Sequence, residues 1–236
     1  MKKQYIIAII LLAVLVIGGC AIKNKLFNKS VPEEKSSNSL LLDLKFNDMT
    51  DSSDYKNIIE GIADVNDGYV SFDGNSFLKI NKDFNNKDLS IGFWIKPIKR
   101  QSGFVISNGP VTNTPSLSIF FDSFKRLKFN RGKQSTYSVT GSLPYDSWTF
   151  VFITNDGSKT KYYINGILKN EDNQEYIINT GHTETFIGKG FECSTIHRSF
   201  RCSDDFFYGN LDDLRIYNEV LTEEQIKSIY QETKKL

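Results

Sequence analysis

The sequence predicts an all-β domain, and three observations carry the prediction. Apolar and polar residues alternate with a period of two in short runs, and Gly, Asn, Asp and Pro punctuate those runs. Aromatic residues make up 13% of the chain while only two methionines occur, a composition that suits many short strands better than a helical bundle.

The alternation starts at Leu40. Leu40, Leu42, Leu44 and Phe46 fall on one face and Leu41, Asp43 and Lys45 on the other, as in a strand at a sandwich surface. Further strands are expected at residues 69–72, 77–80, 89–95, 104–107, 117–121, 127–129, 148–154, 161–164, 185–187 and 207–216. Asn165-Gly166 separates two apolar runs, and both residues tolerate the positive φ of a type I′ hairpin turn. Asp73-Gly74 and Asn155-Asp156-Gly157 mark other turns, and Pro97 closes a strand. Helical periodicity is confined to the C-terminus. There Thr222 and Gln225 match a capping box, and Ile226, Ile229 and Tyr230 share a face that can pack on a sheet.

Ahead of this body, Lys2 and Lys3 precede an apolar run from Tyr5 to Val16, then Ile17-Gly18-Gly19-Cys20. This is the anatomy of a signal peptide. Small residues directly before Cys20 resemble the lipobox of bacterial lipoproteins, which implies a diacylglyceryl group on the Cys20 sulfur. Residues 1–19 then form the signal peptide, 20–39 a lipidated and flexible tether rich in Lys, Asn and Ser, and 40–236 the folded domain. The competing reading is an uncleaved transmembrane helix. Lys23, Lys25 and Lys29 beyond the apolar run outnumber Lys2 and Lys3 before it, against the positive-inside bias. Either way the body is expected in the cell envelope, anchored to the membrane and outside the cytoplasm. With 29 Lys+Arg against 28 Asp+Glu, no overall field draws the chain to nucleic acid, and none is expected as a partner.

Six segments, in order, resemble the laminin-G-like branch of the concanavalin A-like lectin/glucanase superfamily. They are Leu42-Asp43-Leu44-Lys45-Phe46-Asn47, Val70-Ser71-Phe72-Asp73-Gly74, Leu89 to Pro97, Trp148-Thr149-Phe150-Val151, Tyr163-Ile164-Asn165-Gly166 and Gly209 to Asn218. The resemblance implies a two-sheet antiparallel jelly-roll sandwich with a short C-terminal helix. Lectins, carbohydrate-binding modules, adhesion domains and glycosidases share that fold, so function must come from sites.

Four sites were weighed. Alternation in Leu211 to Ile216 puts Asp212 at the end of an apolar row with Leu214 and Ile216, where a buried carboxylate needs a partner. By resemblance, a structural Ca²⁺ would be held by Asp212 and the carbonyls of Lys45 and Gly74; a backbone amide or nearby cation is the alternative partner. Cys193 and Cys202, the pair left once Cys20 is lipidated, read as a disulfide in an exported chain. The superfamily's glycosidases place acidic residues at alternate inward positions of a strand. Glu171, Asp172 and Glu175 lack that spacing, in a run expected to be a turn. Finally, Phe191, His197, Arg198, Phe200 and Arg201 in the stapled excursion are candidates for sugar binding, as are Lys125, Arg126, Asn130 and Arg131. The expected function is a membrane-anchored, non-catalytic binding or adhesion module for carbohydrate or a cell-surface protein. A structural subunit of an envelope complex is the alternative, and a glycoside hydrolase the third reading.

Overall fold

A computed structural model describes residues 39–66, 68–98, 102–108, 117–122, 124, 126–131, 137–173, 181–196 and 199–234. The signal segment, Cys20 and the tether to Asn38 lie outside the described residues.

Two antiparallel sheets stack face to face. The first holds β1 (Leu40–Leu44), β3 (Asp64–Asn66), β4 (Tyr69–Asp73), β6 (Leu89–Pro97), β11 (Thr149–Asn155), β12 (Lys159–Ile164), β13 (Ile167–Asn173) and β17 (Tyr208–Tyr217). Its order is β13-β12-β11-β6-β17-β4-β3, and β1 also lies beside β17. The long β17 therefore pairs with β6 along one edge, and on the other with β4 in its first half and β1 in its second. The second sheet holds β2 (Ile59–Ile62), β5 (Phe77–Ile80), β7 (Gly103–Ser107), β8 (Leu117–Phe121), β9 (Arg126–Arg131), β10 (Tyr137–Ser142) and β14 (Thr185–Ile187), in the order β10-β9-β8-β7-β14-β5-β2. A hairpin of β15 (Lys189–Ile196) and β16 (Ser199–Phe206) joins it through β7. The expected two-sheet sandwich is the observed architecture.

Inward side chains of both sheets make the core, among them Leu42, Leu44, Phe72, Ile91, Phe93, Ile95, Phe129, Leu211, Leu214 and Ile216. A second apolar layer covers part of the outer face of the first sheet. Trp94, Phe150, Phe152, Tyr163 and Tyr217 meet Leu221, Ile226 and Ile229 there, the last two from helix α1 (Glu223–Glu232). Strand β6 is thus buried on both faces, which explains its nearly unbroken apolar sequence. Gly92 makes room in that layer, because a Cβ at its position would come within 2.1 Å of the Phe152 ring. The Thr222–Gln225 capping box starts α1 as expected, and Trp94 Nε1 donates to Thr233 Oγ1 at 2.8 Å where the helix ends.

Two bulges change faces that simple alternation had assigned. The register shifts between Leu40 and Leu42, so Leu41 joins the core while Leu40 packs on the helix side. In β17 the register shifts between Asp212 and Arg215, and Asp213 takes φ 47°. Leu211, not Asp212, shares the core with Leu214 and Ile216. One extra residue in a strand moves each preceding side chain to the opposite face.

Candidate functional site

Buried Arg131 organises one end of the sandwich. Its guanidinium Nε donates to Asn85 Oδ1 at 2.8 Å, and its Nη1 donates to the Lys87 carbonyl at 2.9 Å and to Asn155 Oδ1. Asn85 and Asn108 in turn donate to Asp83 Oδ1, and Thr185 Oγ1 donates to the Lys82 carbonyl at 2.7 Å. Burial pushes the Asp83 carboxyl above its ordinary range, against the hydrogen bond from Asn85 and the positive field of Arg131. Arg131 is fully buried, so this assembly ties β9 to β11 across the two sheets rather than presenting a ligand surface. Arg131, a candidate for sugar binding in the sequence, is thus enclosed in this network. Arg126 is also engaged, ion-paired to Asp122 at 2.7 Å.

The open polar surface lies elsewhere, in a cleft of about 520 Å³ at the β3–β4 edge of the first sheet. Strand β4 alternates, with Val70 and Phe72 buried and Tyr69, Ser71 and Asp73 facing outward. Its neighbour β17 brings Asn210 opposite Ser71 and Tyr208 opposite Asp73, while β3 brings Asp64 opposite Ser71. Asp64, Ser71, Asp73, Ser76, Tyr208 and Asn210 therefore line one concave surface, with Ile62 and Ile98 as apolar margins. Ile62 is 67% exposed, which is unusual for isoleucine and leaves an apolar edge open to a partner.

Local sequence fixes the cleft's shape. Asp73 Oδ1 accepts from the amides of Asn75 and Ser76 at 2.9 and 2.8 Å, the turn that the Asp-Gly pair predicted. Gly74 sits at φ 86°, and the Tyr208 ring passes 3.4 Å from where a Cβ would stand. The turn bonds from Asn75 and Ser76 hold the Asp73 carboxyl below the usual carboxylate range, so it carries its charge. Ser71 Oγ accepts from Asn66 Nδ2 at 3.0 Å. Asn210 lines the cleft but is only half-buried; its Oδ1 is shielded from solvent and has no hydrogen-bond partner among the described residues.

The other expected site residues fall as follows. Asp212 is buried, donates no side chain to the core, and stands opposite Trp94 on the outer face; its Oδ1 accepts from the Asp213 amide at 2.7 Å. Gly74 follows the Asp73–Tyr208 pair, four residues along β17 from Asp212, which is roughly 13 Å at the rise of a strand. Lys45 adjoins the other half of β17, past Leu44 opposite Leu214. The three expected calcium ligands thus fall at separate positions along β17. Asp51, beside β1, is a buried carboxylate with five hydrogen-bond donors around it.

Glu171 and Asp172 lie on edge strand β13 rather than in a turn, Glu171 pairing with Lys159 at 3.0 Å; Glu175 lies outside the described residues. The excursion carrying the cysteines is a regular hairpin in which Cys193 stands directly opposite Cys202. Phe191 packs edge-on against Phe186 at 5.6 Å, with Lys189 Nζ 5.0 Å from its ring centre, so it is not a free stacking platform. Phe200 and Arg201 lie on β16. His197 and Arg198 fall outside the described residues.

The cleft residues were missed because Gly209 to Asn218 was read for Asp212 alone. The signal was present in the polar, outward positions Tyr208 and Asn210 beside Ser71 and Asp73.

Comparison with solved structures shows the same fold. The receptor-binding domain of botulinum neurotoxin C/D mosaic serotype superposes with a TM-score of 0.63 at 18% identity, over 84% of this chain and 52% of that one. A structure described as cell entry of botulinum neurotoxin type C dependent upon interaction with two ganglioside molecules matches with a TM-score of 0.63 at 20% identity, again over 84% and 52%. The binding domain of botulinum neurotoxin DC in complex with SialylT gives the same values. The chain spans about half the length of these domains. No curated protein matches the sequence. A family model described as concanavalin A-like lectin/glucanases superfamily matches residues 64–227, from the first outward carboxylate of the cleft into helix α1. The chain belongs to the concanavalin A-like lectin/glucanases superfamily.

Proposed function

We propose that the protein is a non-catalytic carbohydrate-binding module whose sugar site is the cleft between β3, β4 and β17. The observation that carries this reading is a cleft that sets the polar side chains of Asp64, Ser71, Asp73, Ser76 and Asn210 beside the Tyr208 ring. Sugars present hydroxyl donors on their edges and apolar C–H faces, the two features that carboxylates, amides and a tyrosine ring recognise together. Structural neighbours whose descriptions name gangliosides and SialylT agree with a glycan ligand. They match over half their length, so the support from this chain's own cleft weighs more.

The chemistry of Asp73 favours binding over hydrolysis. A glycosidase acid must hold its proton near neutrality, whereas hydrogen bonds from Asn75 and Ser76 keep the Asp73 carboxyl ionised. A glycan array is expected to give a defined set of bound sugars. Asn210→Ala should weaken them about tenfold, the worth of one buried hydrogen bond, without changing the melting temperature by more than a few degrees. A blank array, or binding untouched by Asn210→Ala, would sink the proposal.

The module would be displayed on the envelope through lipid on Cys20, with the tether of residues 20–39 as spacer. The cross-strand register of Cys193 and Cys202 suits a disulfide closing that hairpin. Intact-mass measurement of the native protein tests both features. An acyl mass on Cys20 and a two-hydrogen deficit restored by reductant are expected; an unmodified, fully reduced mass would contradict them.

A further inference from the structure

We propose, building on the carbohydrate reading above, that the cleft selects sugars carrying a free amino group and disfavours sialylated ones. The lining is rich in acceptors and anionic. Asp64 and Asp73 supply two carboxylates, Ser71 and Ser76 hydroxyls and Asn210 an amide, and no Lys or Arg lines the cleft among the described residues.

The register fixes how these groups converge. Asp64, Ser71 and Asn210 form one row across β3, β4 and β17, and Asp73 lies two positions along β4 from Ser71 on the same face. Cross-strand neighbours stand about 5 Å apart and diagonal ones about 7–8 Å. A pyranose ring lying along this row would bring a ring substituent within reach of both carboxylates. The turn amides of Asn75 and Ser76 favour the charged form of Asp73, so its field is present near neutrality, where an amino sugar can still carry its proton. An ammonium group donates to several acceptors at once, including the Ser71 hydroxyl, and gains from both charges. A sialic acid carboxylate brings a fifth party to the wrong side: it donates nothing and meets two like charges. The cation beside this row is Lys96, opposite Asn210 on β6 and outside the lining. Among the described residues, this one positive charge at the margin leaves the pair of aspartates in excess.

The test is calorimetric titration of the full chain with three probes: a glucosamine oligomer, its N-acetylated counterpart of equal length, and sialyllactose. At a pH of about 6, where a primary amine is protonated, the glucosamine oligomer should bind about tenfold more tightly than the N-acetylated one, since two half-screened carboxylates each add a few-fold. Sialyllactose should bind most weakly, and salt should narrow the difference. The double variant Asp64→Asn/Asp73→Asn should bring the ratio of the first two affinities to about one, the expected loss of two carboxylate fields. Equal affinities, or a preference for sialyllactose, in binding that Asn210→Ala still weakens would overturn the charge selection while leaving the carbohydrate reading intact. A preference for sialyllactose would assign the dominant field to Lys96. Absence of binding to all three, together with a blank array, would overturn both.

Discussion

Arg131→Ala is expected to lower stability by about 4 kcal/mol, the largest effect of any single substitution considered, with a fall in melting temperature of about 10 °C for a domain of this size. The guanidinium is fully buried and makes its hydrogen bonds to Asn85, Asn155 and the Lys87 carbonyl. Truncation deletes these bonds and opens a void where a large side chain stood, and the buried Asn85 and Asn155 acceptors left behind are shielded from water. It also removes a positive charge whose field favours ionised Asp83, so a carboxyl already strained by burial loses support. Arg131→Met fills the volume but leaves the acceptors without donors, and should recover only part of the loss. Thermal unfolding followed by circular dichroism checks both. Unchanged melting with lost sugar binding would instead make Arg131 a ligand residue and refute the structural assignment.

Asp51→Ala should cost about 3 kcal/mol, because Asp51 closes the end of β1 with its carboxylate. Oδ1 accepts from the Asp43 and Ser53 amides, both at 2.9 Å, while Oδ2 accepts from the Asn57 amide at 2.8 Å and from the Ser53 hydroxyl at 2.8 Å. Asn57 Nδ2 also bridges to the Leu41 carbonyl at 2.8 Å, so the carboxylate anchors the loop that leads from β1 into β2. Burial raises the Asp51 pKa, but the amides of Asp43, Ser53 and Asn57 outweigh it and leave the net shift downward. The sign follows from linkage. A carboxyl depressed in the folded state contributes stability that is present above its unfolded value of about 3.9 and is lost as pH falls through the lower folded value. Unfolding midpoints in denaturant should therefore drop below about pH 4 in the wild type, and less steeply in Asp51→Asn. In that variant an amide replaces the titrating group and points a donor at the Asn57 amide. Identical acid profiles for the two proteins would contradict this role.

The β-sandwich was legible in the sequence wherever strands bury one face. Residues 77–80, 117–121 and 185–187 were expected as strands with the observed bounds, since apolar alternation there is unbroken. The strands that escaped notice are β2, β3, β10, β15 and β16, together with the polar end of β13. Ile-Glu-Gly-Ile in β2 and Asn-Glu-Asp-Asn at the end of β13 carry too few apolar residues to register as strands. Edge and hairpin strands are held by backbone pairing, which side-chain pattern does not report. Asn165 and Gly166, at φ 51° and 73°, announced the β12–β13 turn because only a few residues tolerate that geometry. The bulge at Asp213 left no comparable mark. Its one extra residue inverted the face assigned to Asp212. The cleft was hidden for a related reason: Asp64, Ser71, Asp73, Tyr208 and Asn210 come from three strands whose adjacency is set by register. No spacing along the chain records it.

Residue-resolved NMR during titration with a sugar from the array addresses the binding site most directly. Chemical-shift changes are expected to cluster at Asp64, Ser71, Asp73, Tyr208 and Asn210, and to need about tenfold more sugar in Asn210→Ala. Changes concentrated instead on the β15–β16 hairpin, with the β3–β4 edge silent, would contradict the account and return the ligand to the cysteine-bearing arm.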